Sequence, residues 1–98
     1  MSMTVVVTRN VSSRVRGFLA SAMLELAPGV YSAPRMSPAV RQRVWEVLVD
    51  WFRNEGEASI IMIFQDRETP CGQAVRTLGY PPVDIVEVDG LLLARREL

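Results

Sequence analysis

Met3-Thr4-Val5-Val6-Val7-Thr8-Arg9-Asn10-Val11-Ser12-Ser13-Arg14-Val15-Arg16 holds a strand, a turn and the start of a helix. The first six residues are β-branched or apolar and read as a hydrophobic strand. Arg9-Asn10-Val11 makes the turn, and the helix opens at Ser12-Ser13, either of which can cap it. From there Val11, Val15, Phe18, Leu19, Ala22 and Met23 recur at helical spacing along one face. Arg14, Gly17 and Ser21 lie on the polar face, with Arg16 at its margin. A helix start carries about half a positive charge from its unpaired N–H groups and favours acidic side chains. Arg14 and Arg16 stand there instead, and Arg9 adds a third cation on the strand side. The two at the helix start cost a few tenths of a kcal/mol each unless an anion neutralises them. A phosphate-facing surface is the simplest reason to keep them; the other is that all three are solvated surface charges.

Outward from this stretch, Pro28-Gly29 supplies the two central residues of a type II turn, with short strands predicted on either side. Ser37-Pro38 is a helix-start signal, and the second helix is expected to run to about Glu55 and stop at Gly56. Val40, Val44, Val47, Leu48 and Trp51 form its apolar stripe, widened by Trp45 and Phe52. Ser59-Ile60-Ile61-Met62-Ile63-Phe64-Gln65 reads as a central strand covered on both faces. Residues 66–72 form a polar loop, and Gln73–Leu78 suit another strand, ended by Gly79-Tyr80-Pro81-Pro82. Asp89-Gly90 between Ile85–Val88 and Leu91–Ala94 is a two-residue hairpin signal. The order predicts an α+β fold: a ferredoxin-like βαββαβ antiparallel sheet, two helices on one face, and a C-terminal β-hairpin extension. Residues 1–82 form the core and 83–98 a β tail, within one domain. A tail this apolar suits strand addition, either to a second subunit or to another protein.

The chain has 98 residues, 49% of them hydrophobic, which is generous for a small monomer and points to a subunit interface. It carries 11 basic and 11 acidic residues for a net charge of zero, so any polyanion binding must come from one face. Every cation is arginine, whose planar fork suits bidentate phosphate contacts; G+C-rich codon usage is the competing explanation. With no histidine and one cysteine, most zinc sites and every histidine-based triad are excluded. Cys71 alone fits a reducing compartment, and the expected location is cytoplasmic. No apolar run is long enough for a membrane span, and no signal-peptide pattern is seen.

The stretch MSMTVVVTRNVSSRVRG closely resembles the start of CRISPR-associated protein 2 of subtype I-E. Gly29-Val30-Tyr31, Val44-Trp45-Glu46 and Val88-Asp89-Gly90-Leu91 resemble the same family, in the right order and over nearly the whole chain. The resemblance implies a ferredoxin-like homodimer of the spacer-acquisition machinery in antiviral defence. Such a dimer sits between dimers of the integrase, CRISPR-associated protein 1, and carries the middle of a double-stranded DNA segment. The family's phosphate-contacting positions correspond to Asn10, Arg14 and Arg16, and Arg9 joins them as a neighbouring cation. The region that joins the integrase corresponds to Val83 to about Arg96, with Val86, Val88, Leu91, Leu92 and Leu93 as its apolar contacts.

Two departures bear on activity. The family is commonly labelled an endoribonuclease, and relatives carry an acidic residue after the first strand, where a symmetric pair holds Mg2+. Here that position is Arg9, which offers no donor oxygen. The basic pair that relatives carry before the C-terminal strands is Pro81-Pro82, and Arg41, Arg43 and Arg76 are candidates to replace it. Metal-assisted phosphodiester cleavage needs clustered carboxylates, and no spacing among the acidic residues brings several together. The favoured expectation is a scaffold with no catalytic residue, no metal and no cofactor. The alternative is a Mg2+-dependent endonuclease or endoribonuclease. A small-molecule-binding ferredoxin-like domain is a third class, without a ligand signature in this chain.

Overall fold

The computed structural model describes residues 2–79, 84–88 and 90–95. β1 (Ser2–Arg9) leads into α1 (Ser13–Ala22), followed by β2 (Leu24–Ala27), β3 (Val30–Met36), α2 (Pro38–Phe52), β4 (Ser59–Gln65) and β5 (Gln73–Gly79). The five strands form one sheet in the order β2-β3-β1-β4-β5, antiparallel throughout. The inner order β2-β3-β1-β4 is ferredoxin-like, and β5 extends it as a hairpin partner of β4. β6 (Asp84–Val88) and β7 (Leu91–Arg95) pair as a separate two-stranded sheet, Val88 against Leu91, with Gly90 at φ +80°. This is the expected α+β fold with its C-terminal hairpin.

Strand alternation decides which side chains meet the helices. Thr4 and Val6 of β1, Tyr31 and Ala33 of β3, and Ile60, Met62 and Phe64 of β4 are buried. They pack on Val15 and Leu19 of α1 and Val44 and Leu48 of α2. Leu19 and Leu48 are fully buried, and each contributes about 2 kcal/mol by transfer from water.

The opposite face of the sheet is apolar too. Val5, Val7, Ile61 and Ile63 are only half-buried, and Met3 and Leu24 are exposed. The expectation that Ser59–Gln65 is covered on both faces is therefore corrected: burial alternates along β4, with only one face beneath the helices. Ala22 and Val40 belong to the predicted apolar stripes yet lie exposed. α2 ends at Phe52, three residues before the expected Glu55, and Asn54 N–H and Glu55 N–H close the turn on the Trp51 and Phe52 carbonyls. β3 runs through Pro34, where the β1 register shifts between Ser2 and Thr4, so the proline falls at a ladder irregularity that tolerates it. Among the described residues, no helix is long and apolar enough to cross a membrane. The expectations for Tyr80-Pro81-Pro82, and for the side chains of Val86, Val88 and Leu92, fall outside the described residues.

Candidate nucleic-acid interface

The end of β1 is pinned before the helix begins. Thr8 donates from both its N–H and its hydroxyl to the Gly29 carbonyl, at 2.7 and 3.0 Å. The Pro28-Gly29 turn is thereby drawn against the strand, and the fit is tight: a Cβ on Gly29 would lie 2.7 Å from the Thr8 carbonyl oxygen. Gly29 also has φ +80°, as the second central residue of a type II turn requires. Asn10 then takes φ +60°, a left-handed conformation that asparagine tolerates better than most residues. Its side-chain Nδ2 donates to the Glu57 carbonyl at 3.0 Å.

Ser12 caps α1, accepting from Val15 N–H at 3.4 Å. Its own N–H donates to Glu55 Oε1 at 2.6 Å. The helix start is thus not purely cationic. A carboxylate from the turn that follows α2 already sits there, where the macrodipole favours it. The early end of α2 and the turn through Arg53 and Asn54 bring Glu55 to this place.

Thr8, Asn10, Val11, Arg16, Pro28 and Gly29 line a cleft of about 320 Å³ beside the helix start. Two of the expected phosphate-contacting residues, Asn10 and Arg16, therefore share one site. The hydroxyl of Tyr31, on β3, is buried with no hydrogen-bond partner. Burial raises the Tyr31 pKa, Glu25 pushes it the same way, and Arg16 opposes both. Glu25 itself accepts from Gly29 N–H at 3.3 Å, so it helps hold the turn.

Arg14 points elsewhere. Its guanidinium carbon lies 3.9 Å from the Trp51 ring centroid, and Trp51 in turn packs edge-on against Phe18 at 5.2 Å. This cation–π stack restrains an exposed side chain and leaves its N–H edge available for hydrogen bonding. Arg9 shares strand parity with Val5 and Val7, so it stands at the end of the uncovered sheet face, paired with Ser59 across β4. The structure therefore joins Asn10 with Arg16, seats Arg14 separately on Trp51, and puts Arg9 on the other face of the sheet.

Three parts of this site were not read from the sequence as functional. Trp51 was assigned only to the core stripe, although it is the platform under Arg14. In the sequence Glu55 reads only as the end of a helix, and Glu57 is given no role. No local pattern announces their contacts, because they are made across 43 and 47 positions.

A family model described as CRISPR-associated protein (Cas_Cas2CT1978) matches residues 3–93. The chain belongs to this family. The match runs from β1 into β7 and so includes the helix start, its cleft and the C-terminal hairpin. For this CRISPR-associated protein the metal expected of relatives finds no fit. Arg9 stands at the end of β1, where the resemblance implies an acidic ligand, and its guanidinium offers no donor oxygen. Asp66 spends one oxygen on Glu68 N–H at 3.0 Å and organises its own loop.

Proposed function

We propose that this CRISPR-associated protein is a homodimeric, non-catalytic scaffold of subtype I-E spacer acquisition. It binds the middle of a protospacer duplex and bridges dimers of the integrase, CRISPR-associated protein 1, in the cytoplasm. The observation that carries this reading is the arginine arrangement at the start of α1. Arg16 lines a cleft with Asn10, and Arg14 is held on Trp51 with its donor edge free. Guanidiniums restrained in this way suit phosphate oxygens and carry little base information.

Two further features support the assembly. The uncovered sheet face, with Met3 55% and Leu24 63% exposed beside half-buried Val5, Val7, Ile61 and Ile63, suits a second copy of the chain. On β7, Leu91 and Leu93 are exposed and stand two residues apart, an apolar edge for the integrase. The poor fit to a divalent metal favours a scaffold over the nuclease alternative.

The test is duplex binding, with and without the integrase, by wild type and Arg14→Ala/Arg16→Ala across a salt series. A slope of about 0.9 in log affinity against log salt per phosphate contact makes each lost contact worth about eightfold at 0.1 M salt. The double variant should bind more weakly by at least that factor and show a flatter slope. Equal binding at every salt concentration would sink the phosphate reading. Magnesium-dependent cleavage by the purified dimer would sink the non-catalytic part.

A further inference from the structure

Arg41 and Arg76, which the sequence leaves without a position, meet over one aromatic ring. The Arg41 guanidinium carbon lies 3.7 Å from the Phe64 ring centroid, and that of Arg76 lies 5.2 Å from it. Phe64 is 5% exposed, so the ring is a floor rather than a surface side chain. Arg76 Nη1 donates to Gln42 Oε1 at 2.7 Å, and that partner is a neutral amide. Desolvation lowers the Arg41 pKa, Arg76 lowers it further, and Asp66 only partly offsets them. Two like charges are thus crowded on an apolar ring, and an oxyanion between them would relieve the repulsion.

The cluster lies away from the β1–α1 turn. Ser59 pairs with Arg9 beside that turn, whereas Phe64 pairs with Thr4 at the other end of the ladder. At the rise of an extended strand, Ser59 and Phe64 stand about 17 Å apart. That separation is shorter than one turn of B-form DNA, about 34 Å.

We propose that Arg41 and Arg76, seated on Phe64, form a second oxyanion site that takes a backbone phosphate of the same bound duplex. This rests on the nucleic-acid reading above and extends it to residues outside the helix-start cleft. Arg76 supplies a fork held in place by Gln42, and Arg41 supplies a stacked fork that a lysine would not reproduce.

The experiment measures binding of a fluorescent random-sequence duplex to the full chain across a salt series. Arg76→Gln, Arg41→Lys and Arg14→Ala/Arg16→Ala are compared, with circular dichroism to confirm folding. Arg76→Gln should lose about eightfold in affinity at 0.1 M salt and about 0.9 from the salt slope. Arg41→Lys should keep the slope and still bind more weakly. If Arg76→Gln keeps the wild-type slope while the helix-start variant flattens, this second site is refuted and the first stands. If neither variant changes the slope, both readings fall. If Arg76→Gln spares the duplex but weakens binding of polyglutamate, the site serves an acidic protein and the proposal is overturned. Should Arg41→Lys not fold, the Arg76→Gln slope decides alone.

Discussion

Glu55→Gln should loosen the fold and tighten anion binding in the same molecule. The Glu55 carboxylate accepts from Ser12 N–H at 2.6 Å, at a helix start that also carries Arg14 and Arg16. A hydrogen bond to a charged group contributes roughly 1.5–3 kcal/mol. Glutamine keeps an acceptor and loses the charge, so Glu55→Gln should cost about 1 kcal/mol and Glu55→Ala about 2 kcal/mol. For a domain of this size, 1 kcal/mol lowers Tm by about 4–8 °C. Anion binding moves the other way. A phosphate about 6 Å from the carboxylate, in a water-like dielectric, is repelled by about 0.7 kcal/mol. Removing that repulsion should raise duplex affinity about threefold at low salt, with the gain fading as salt screens it. Thermal melts and fluorescence anisotropy on the same preparation check both halves. Unchanged Tm with unchanged affinity would refute the role of Glu55 as a resident anion. A loss of affinity would mean that the carboxylate orders the turn for binding rather than competing at it.

Three other outcomes follow from particular contacts. Gly29→Ala places a Cβ 2.7 Å from the Thr8 carbonyl oxygen at φ +80° and should cost about 2 kcal/mol, read as a lowered urea midpoint. Tyr31→Phe removes a buried hydroxyl without a partner and should leave stability equal or higher by about 1 kcal/mol at neutral pH. The Tyr31 pKa is raised above the ordinary 10.0, so its contribution is intact below pH 10 and is lost as pH climbs above it. The alkaline decline in Tm should accordingly be shallower in Tyr31→Phe. Ile63→Asp sets a charge in the middle of the uncovered sheet face and, on the proposed dimer, should give a folded monomer in sedimentation velocity where the wild type sediments as a dimer; a variant that sediments like wild type would refute this face as the interface.

Local signals carried much of this fold. Ser12 and Ser37 cap the helices as their hydroxyls suggest, Pro28-Gly29 turns between β2 and β3, and the last two strands pair around Gly90. The run Ile60–Phe64 misleads because both faces of β4 are apolar for different reasons. One meets the helices, and the other stays half-buried with neither helix over it. A periodicity argument cannot separate those two demands, since each calls for the same side chains. The site was legible as residues and not as an arrangement. Asn10, Arg14 and Arg16 drew attention as neighbours in sequence, but the side each takes depends on Trp51, Gly29 and Glu57, which arrive from other elements. The meeting of Arg41 with Arg76 likewise depends on how α2 lies across β4 and β5.

β1 occupies the middle of the sheet, with Thr4 to Val7 laddered to β3 on one side and Thr4 to Arg9 to β4 on the other. Its last residue leads directly into the turn that carries Asn10 and the arginine-bearing helix start. Antiparallel ladder bonds run perpendicular to the strand, so tension applied along β1 shears both ladders at once instead of peeling them one rung at a time. A load drawn through the β1–α1 turn, by a stiff polymer pulled or bent while bound there, would therefore enter the subunit along its mechanically strongest line.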